Sequence, residues 1–219
     1  MDLYKDIIFT HGPLDVLDHA SDSFSFGGKA GIDATIKHSE ENQGRINTWK
    51  KEKQPAAVIN GDFPDNKIIK NYSLRLFDDN IPILIIAVNP SEDSDVIDKA
   101  KKLFRRKNQD GIFRLILAVD HTVDPADFPV VTWQVLGNTD PYRDHEYLSP
   151  LSVFIDGTIK AYRKGGFPRK WPNVVCSDNE TILTIDRKWK SLGIGNFITS
   201  PSGRYSGLCR AGSDEIIIV

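Results

Sequence analysis

The stretch "IPILIIAVNPSEDSDVIDKAKKLFRRKNQDGIFRLILAV", residues 81–119, decides the fold. Both of its ends, "IPILIIAV" and "IFRLILAV", are short, continuous apolar runs rich in β-branched residues, the pattern of strands buried on both faces. Between them Val96, Ile97, Ala100, Leu103 and Phe104 recur at helical spacing. Ser91 reads as the N-cap, with Glu92 and Asp93 in the first turn. Lys101, Lys102, Arg105 and Arg106 load the last turns, and Gly111 ends the run. Strand, amphipathic helix and strand in so short a span form a βαβ unit, so the two strands are expected to be parallel neighbours.

Working outward from this unit, Asp124-Pro125 is expected to open a second helix that holds Val130, Val131, Trp133 and Leu136 and stops at Gly137-Asn138. Asn89 and Asp120 end the two strands, where open α/β sheets tend to bind ligands, although both also suit loop and capping bonds. Before residue 81 the apolar residues are sparse and broken by "HGPLD", "GGKAG" and "KQP", which predicts irregular structure with short strands at "KDIIFT" and "YSLRLF". The fold class is therefore α/β: a βαβα layer with parallel central strands, an extended irregular N-terminal arm and a C-terminal tail.

Composition limits the function classes. The 219 residues carry 28 Lys and Arg against 30 Asp and Glu, a net charge of −2, which argues against a nucleic-acid partner that needs a cationic excess. The apolar runs are too short to span a bilayer, and no signal-peptide pattern opens the chain, so a cytoplasmic protein without an integral membrane segment is expected. The two cysteines, Cys176 and Cys209, have no CxxC spacing and read as buried thiols, not as a zinc site. The nucleotide-binding and hydrolase signatures GxGxxG, GxxxxGK[ST], HExxH and GxSxG are missing.

One phrase occurs twice. "GIDATIK" at residues 31–37 is nearly repeated as "FIDGTIK" at 154–160, and Arg45 and Trp49 follow the first copy much as Arg169 and Trp171 follow the second. Such spacing favours duplication. In both copies, hydrogen bonds between Asp and Thr are expected to fix the shape of the loop, while Lys37 and Lys160 pair with those acids or with neighbours.

Two longer segments carry a resemblance. "LILAVDHTVDPADFPVVTWQVLGNTDPYRD" (115–144) resembles the strand, VD-x-x-VD, helix and DP-x-RD signature of the UbiD family of prenylated-flavin decarboxylases. "GPLDVLDHASDSFSFGGKAGIDATIK" (12–37) resembles the segment that follows DP-x-RD in that family. The order here is permuted, so the chain is similar to the far C-terminal part of a longer UbiD-type protein: residues 1–80 as the tail of a first C-terminal unit with a linker, and residues 81–219 as a second, divergent unit. The resemblance covers residues 12–37 and 81–172. Where the family shows Ser-Lys-Met-Gly, this chain has Gly28-Lys29-Ala30-Gly31, and the second copy lacks the Gly-Gly-Lys.

That resemblance implies a carboxy-lyase acting on an aromatic or unsaturated acid, such as a polyprenyl-hydroxybenzoate-like quinone precursor. Prenylated FMN and manganese would be held by upstream regions of the full-length enzyme. No catalytic, cofactor-binding or metal residue carries over to this chain, which is expected to be catalytically silent alone. Its partners would be the upstream catalytic region or subunit and further copies of itself in a homo-oligomer. The alternative is a stand-alone, non-catalytic α/β module for dimerisation or anion binding.

Candidate ligand contacts come from the residues themselves. His19 sits beside Asp15 and Asp18, a setting for a metal or general base, although acids in a Gly-Pro turn region also bond their local backbone. The basic stretch "YRKGGFPRKWP" (162–172) sets Arg163, Lys164 and Arg169 around Gly165-Gly166, where an anion can be held. Lys29 completes the set.

Overall fold

The computed structural model describes residues 6–33, 35, 55–59 and 68–209. Two compact units divide the chain, Met1–Arg169 and Lys170–Val219.

The first unit is built on a five-stranded sheet. In chain order its elements are a hairpin of β1 (Ile7–Pro13) and β2 (Phe26–Ile32), α1 (Ala56–Ile59), β3 (Asn71–Ser73), α2 (Arg75–Asp78), β4 (Ile83–Val88), α3 (Val96–Lys107), β5 (Leu115–Asp120), α4 (Phe128–Asn138), β6 (His145–Ser149) and β7 (Ser152–Asp156). The sheet order is β3-β4-β5-β7-β6. As the sequence predicts, β4 and β5 are adjacent and parallel, in register from Ile83 opposite Leu115 to Val88 opposite Asp120. Strand β7 adds in parallel beyond β5, and β3 and β6 close the edges antiparallel.

Both faces of the central strands are buried, which explains their unbroken apolar sequence. Leu84, Ile86 and Val88 of β4, Ile116 and Ala118 of β5 and Phe154 of β7 share one cluster with Val96, Ala100, Leu103 and Phe104 of α3. Each Val, Leu, Ile or Phe side chain among them contributes about 1.5–3 kcal/mol on burial. The alternate residues Ile85, Ala87, Val119 and Val153 are also buried, on the opposite face, where α4 meets β5.

The boundaries differ from the sequence reading for local reasons. Ser91 does not cap α3: its hydroxyl and amide both donate to Asn89 Oδ1, which turns the chain, and the helix begins at Val96 after Asp95. Asp124 likewise holds a turn by accepting from the Ala126 amide, and Asp127 is the cap of α4, accepting from Val130. "YSLRLF" is split between β3 and α2 because the Ser73 hydroxyl accepts from the Arg75 amide and turns the chain. Past α3 the chain takes φ +60° at Gly111. The side chain of Asn108 then fixes the return by bonding both the amide and carbonyl of Phe113 and the Ser152 hydroxyl.

The opening segment, expected as an extended irregular arm with a short strand at "KDIIFT", carries that strand as β1, and β2 pairs with it in an antiparallel hairpin within residues 6–33; residues 36–45 of that arm lie outside the described residues. Two strands alone are marginal in water. This hairpin is held by the turn at residues 140–144, where the Gly28 amide donates to Asp140 Oδ2 at 3.0 Å. Strand β2 comes so near that a Cβ on Gly28 would lie 2.3 Å from the Tyr142 nitrogen. Only glycine permits that approach.

In the second unit α5 (Asn179–Leu192) starts at Asp178, whose carboxylate accepts from Thr181, and ends at Gly193 with φ +66°. The helix buries none of its residues. Its Trp189 indole donates to the carbonyls of Gly195 and Asn196 and meets Phe197 edge to face. A 3-10 helix (Pro201–Leu208) follows. Cys176 and Cys209, expected to be buried thiols, are only partly buried and lie together. Among the described residues no helix is long and apolar enough to cross a membrane.

Candidate functional site

The repeated phrase occupies the same place in two hairpins. Asp33 follows β2, and its Oδ1 accepts from the Thr35 amide at 2.9 Å and the Thr35 hydroxyl at 2.6 Å. Asp156 ends β7, and its Oδ1 accepts from the Thr158 amide at 2.9 Å and the Thr158 hydroxyl at 2.6 Å. Each Asp amide also reaches back across the hairpin, Asp33 to the Asp6 carbonyl at 2.8 Å and Asp156 to the Asp144 carbonyl at 2.9 Å. The phrase is thus an Asp-Thr latch that closes the open end of a hairpin. Lys37, Arg45 and Trp49 lie outside the described residues.

Around the second latch a charged cluster is buried. The Lys160 ammonium donates to the carbonyls of Asn138 at 3.2 Å, Asp156 at 3.0 Å and Thr158 at 2.6 Å. The carboxylates of Asp144 and Asp156 stand at 3.5 and 3.4 Å from it. Only 3% of the Lys160 side chain is exposed. Three N–H groups therefore meet three carbonyls, with two carboxylates balancing the charge.

The next layer is the DPYRD turn. Asp140 Oδ1 accepts from the amides of Tyr142 and Arg143, and the Asp140 amide donates to Asp144. Arg143 grips Asp144 with two N–H groups and reaches with its third nitrogen to the Ala20 carbonyl and to Asp22. Burial pushes the Asp144 carboxyl above its ordinary value, against the pull of Lys160 and Arg143. Burial acts the same way on Asp22, but Arg143 and Arg163 outweigh it and hold that carboxyl below the usual range.

A cleft of about 340 Å³ opens beside this cluster. It lies past the carboxyl ends of β4 and β7, between the first half of α3 and the loop that follows β7, and its walls include Lys101, Arg163 and Lys164. The structure brings the sequence-derived candidates only partly together. Arg163 and Lys164 line the cleft, Arg163 pairing with Asp22 at 3.2 Å and Lys164 with Asp95 at 2.8 Å. His19 and Arg169 meet instead at the loop between β1 and β2, where Arg169 donates to the carbonyls of Asp18 and Ser21. Lys29 is exposed on β2, opposite Thr10.

The acids flanking His19 bond local backbone: Asp15 accepts from the Leu17 amide and Asp18 from the Ala20 amide. Burial lowers the His19 pKa from its ordinary 6.5, and Arg169 lowers it further, against Asp18 and a backbone bond with Gly137. Asp120 accepts from the Ile159 amide, tying the end of β5 to the loop after β7. Among the described residues no group of three or more His, Cys, Asp or Glu is placed to hold a metal ion. Asp22, Arg143 and Asp144 are the functional side chains that residue-by-residue reading passed over, although the DP-x-RD pattern contained two of them.

No family model matches the chain. It is similar to uncharacterized proteins of two Helicobacter pylori strains, each 28% identical over 185 residues, covering 84% of this chain and 28% of the relative. An uncharacterized protein of Archaeoglobus fulgidus is 30% identical over 95 residues, covering 36% of this chain and 20% of the relative. An uncharacterized protein of Aquifex aeolicus is 51% identical over 41 residues. The chain thus spans little more than a quarter of the Helicobacter pylori proteins it matches.

Proposed function

We propose that this chain is a non-catalytic α/β part of a UbiD-type carboxy-lyase, which decarboxylates an aromatic or unsaturated acid with prenylated FMN and manganese held outside it. One observation carries the non-catalytic half. The charged groups of the DP-x-RD and Asp-x-Thr-x-Lys motifs are consumed by the protein itself: three carbonyls accept hydrogen bonds from the Lys160 ammonium, and Arg143, Lys160 and the Asp140 amide surround Asp144. A general acid or base needs an atom directed at substrate. The family half is supported by the residues of the two resembling segments, and the greater length of the Helicobacter pylori relatives is compatible with it.

The test has two arms. The purified chain is incubated with prenylated FMN, manganese and a panel of aromatic acids, then gel-filtered while carbon dioxide release is followed. Neither retained flavin nor turnover is expected, and either one overturns the non-catalytic reading. A whole Helicobacter pylori relative, made in cells that produce prenylated FMN, is expected to carry the flavin and release carbon dioxide. A relative that does neither overturns the family reading.

The cleft favours a second reading, an anion-binding module. Its walls carry Lys101, Arg143, Lys160, Arg163 and Lys164 against Asp98, Asp144 and Asp156, five cationic side chains to three carboxylates. Among the described residues, Arg163 and Lys164 are held by ion pairs at the surface, which a ligand can replace at little cost. Calorimetric titration with pyrophosphate tests it. Binding that weakens about tenfold in Arg163→Ala is expected, and no heat at millimolar pyrophosphate refutes it.

A further inference from the structure

The only two cysteines of the chain lie 33 positions apart in sequence, and their sulfurs meet at 3.1 Å. Both belong to the second unit, Cys176 just before α5 and Cys209 just after the 3-10 helix. We propose that Cys176 and Cys209 are a dithiol modification site, oxidised to an intramolecular disulfide by exchange with a low-molecular-weight disulfide such as oxidised glutathione.

The surroundings assign the roles. The Cys209 thiol donates to the Val174 carbonyl at 3.2 Å. Burial, with the neighbouring Cys176, pushes its pKa up to about 11, so it stays protonated near neutrality. Cys176 is therefore the attacking sulfur, because the thiolate is the nucleophile. In the first step the Cys176 thiolate displaces one small thiolate and forms a mixed disulfide. In the second, Cys209 loses its proton, attacks the Cys176 sulfur and displaces the other small thiolate. The two electrons reduce the small disulfide, and the two cysteine protons end on the two small thiols released. Atoms and charge balance.

What the bond would do follows from the architecture of the unit. It closes a loop that contains α5, a helix that buries none of its residues, so little apolar packing holds that segment. In a unit of about fifty residues a crosslink substitutes for core. The bond removes open conformations of the 176–209 segment.

The experiment uses the whole chain in its native state. Buffers from excess thiol to excess oxidised glutathione are followed by an acid quench, then unfolding and labelling with a maleimide. Two labels are expected on the reduced chain and none on the oxidised chain, whose monomer mass is lower by two hydrogen atoms. Cleavage by added protease within residues 176–209 should slow about tenfold on oxidation. Cys209→Ser should stop at the mixed disulfide with glutathione. Cys176→Ser should react more slowly than Cys209→Ser, because burial and the bond to the Val174 carbonyl still hold the proton on the remaining Cys209 thiol. Two labels at every poise, or disulfide-linked dimers in place of the internal bond, overturn the proposal. Equal rates for the two variants overturn the assignment of roles.

Discussion

The two Asp-Thr latches share their bonds and differ in their surroundings. Asp33 and Thr35 stand exposed, whereas Asp156 and Thr158 are buried and share a charged cluster with Asp144 and Lys160. In water, a carboxylate that accepts from a hydroxyl exchanges one partner for another at little gain. Once buried, the same carboxylate needs a countercharge, and Lys160 provides it. Sequence identity between the copies therefore preserves a shape, while burial decides what that shape is worth.

The largest test of this contrast removes the buried cation. Lys160→Met leaves Asp144 and Asp156 facing each other without their shared ammonium and strips three carbonyls of their donor. A loss of about 3–5 kcal/mol is expected by urea denaturation. A loss under about 1 kcal/mol would show the cluster to be far wetter than its burial implies.

Next in size is Gly28→Ala. The added methyl would meet Asp140 Oδ1 at 2.1 Å and the Tyr142 nitrogen at 2.3 Å, so the first hairpin must shift off the DPYRD turn. A cost of about 1–3 kcal/mol is expected. Amide exchange should rise across residues 7–32 and remain slow in β4 and β5, because the hairpin contributes nothing to the main core cluster.

A paired comparison of the latches is smaller and more direct. Thr158→Val removes the hydroxyl that donates to buried Asp156, at an expected cost of about 1–2 kcal/mol. Thr35→Val removes the equivalent bond in the open, at an expected cost within about 0.5 kcal/mol. Equal costs would break the contrast.

The smallest effect is a pH dependence at the hairpin loop. The folded chain disfavours the His19 imidazolium, so its pKa lies below 6.5. Stability linked to this group is fully present above pH 6.5 and is lost as pH falls through the lower folded value. An NMR titration should place His19 below the ordinary value. His19→Gln should flatten the slope of melting temperature below pH 6.5. Asp22 acts lower on the scale: its depressed pKa gives stability present above about pH 4 and lost below it.

The central layer was legible because burial on both faces writes itself into composition. Nothing but continuous apolar runs fits β4 and β5, and helical spacing at Val96, Ala100, Leu103 and Phe104 places α3 between them. Strands β6 and β7 left no comparable signal. "HEYLS" mixes polar and apolar residues at a sheet edge, and "SVFID" is too short to distinguish from loop. In the cluster the Asp-Thr bonds follow from local sequence, since both partners lie two residues apart. Arg143 and Asp22 do not, because they meet across 121 positions. Lys160 was legible as a partner of nearby acids, but its three carbonyl contacts bring together the end of α4 at Asn138, the end of β7 at Asp156 and the following loop at Thr158. Cys176 and Cys209 read as separate thiols because no spacing rule anticipates a meeting 33 residues apart.

The grip of residues 140–169 on the first hairpin also has a consequence for the order in which the molecule is made. The partners of Ala20, Asp22 and Gly28 lie 112 to 141 positions downstream. At a synthesis rate of about 5–20 residues per second, the hairpin leaves the ribosome roughly ten seconds before the segment that holds it. During that interval Phe9 and His11, which stack on His145 and Tyr142 in the folded chain, have no downstream rings to meet. A nascent chain stalled before residue 140 should therefore offer this hairpin to chaperones, and one stalled after residue 170 has emerged should withdraw it.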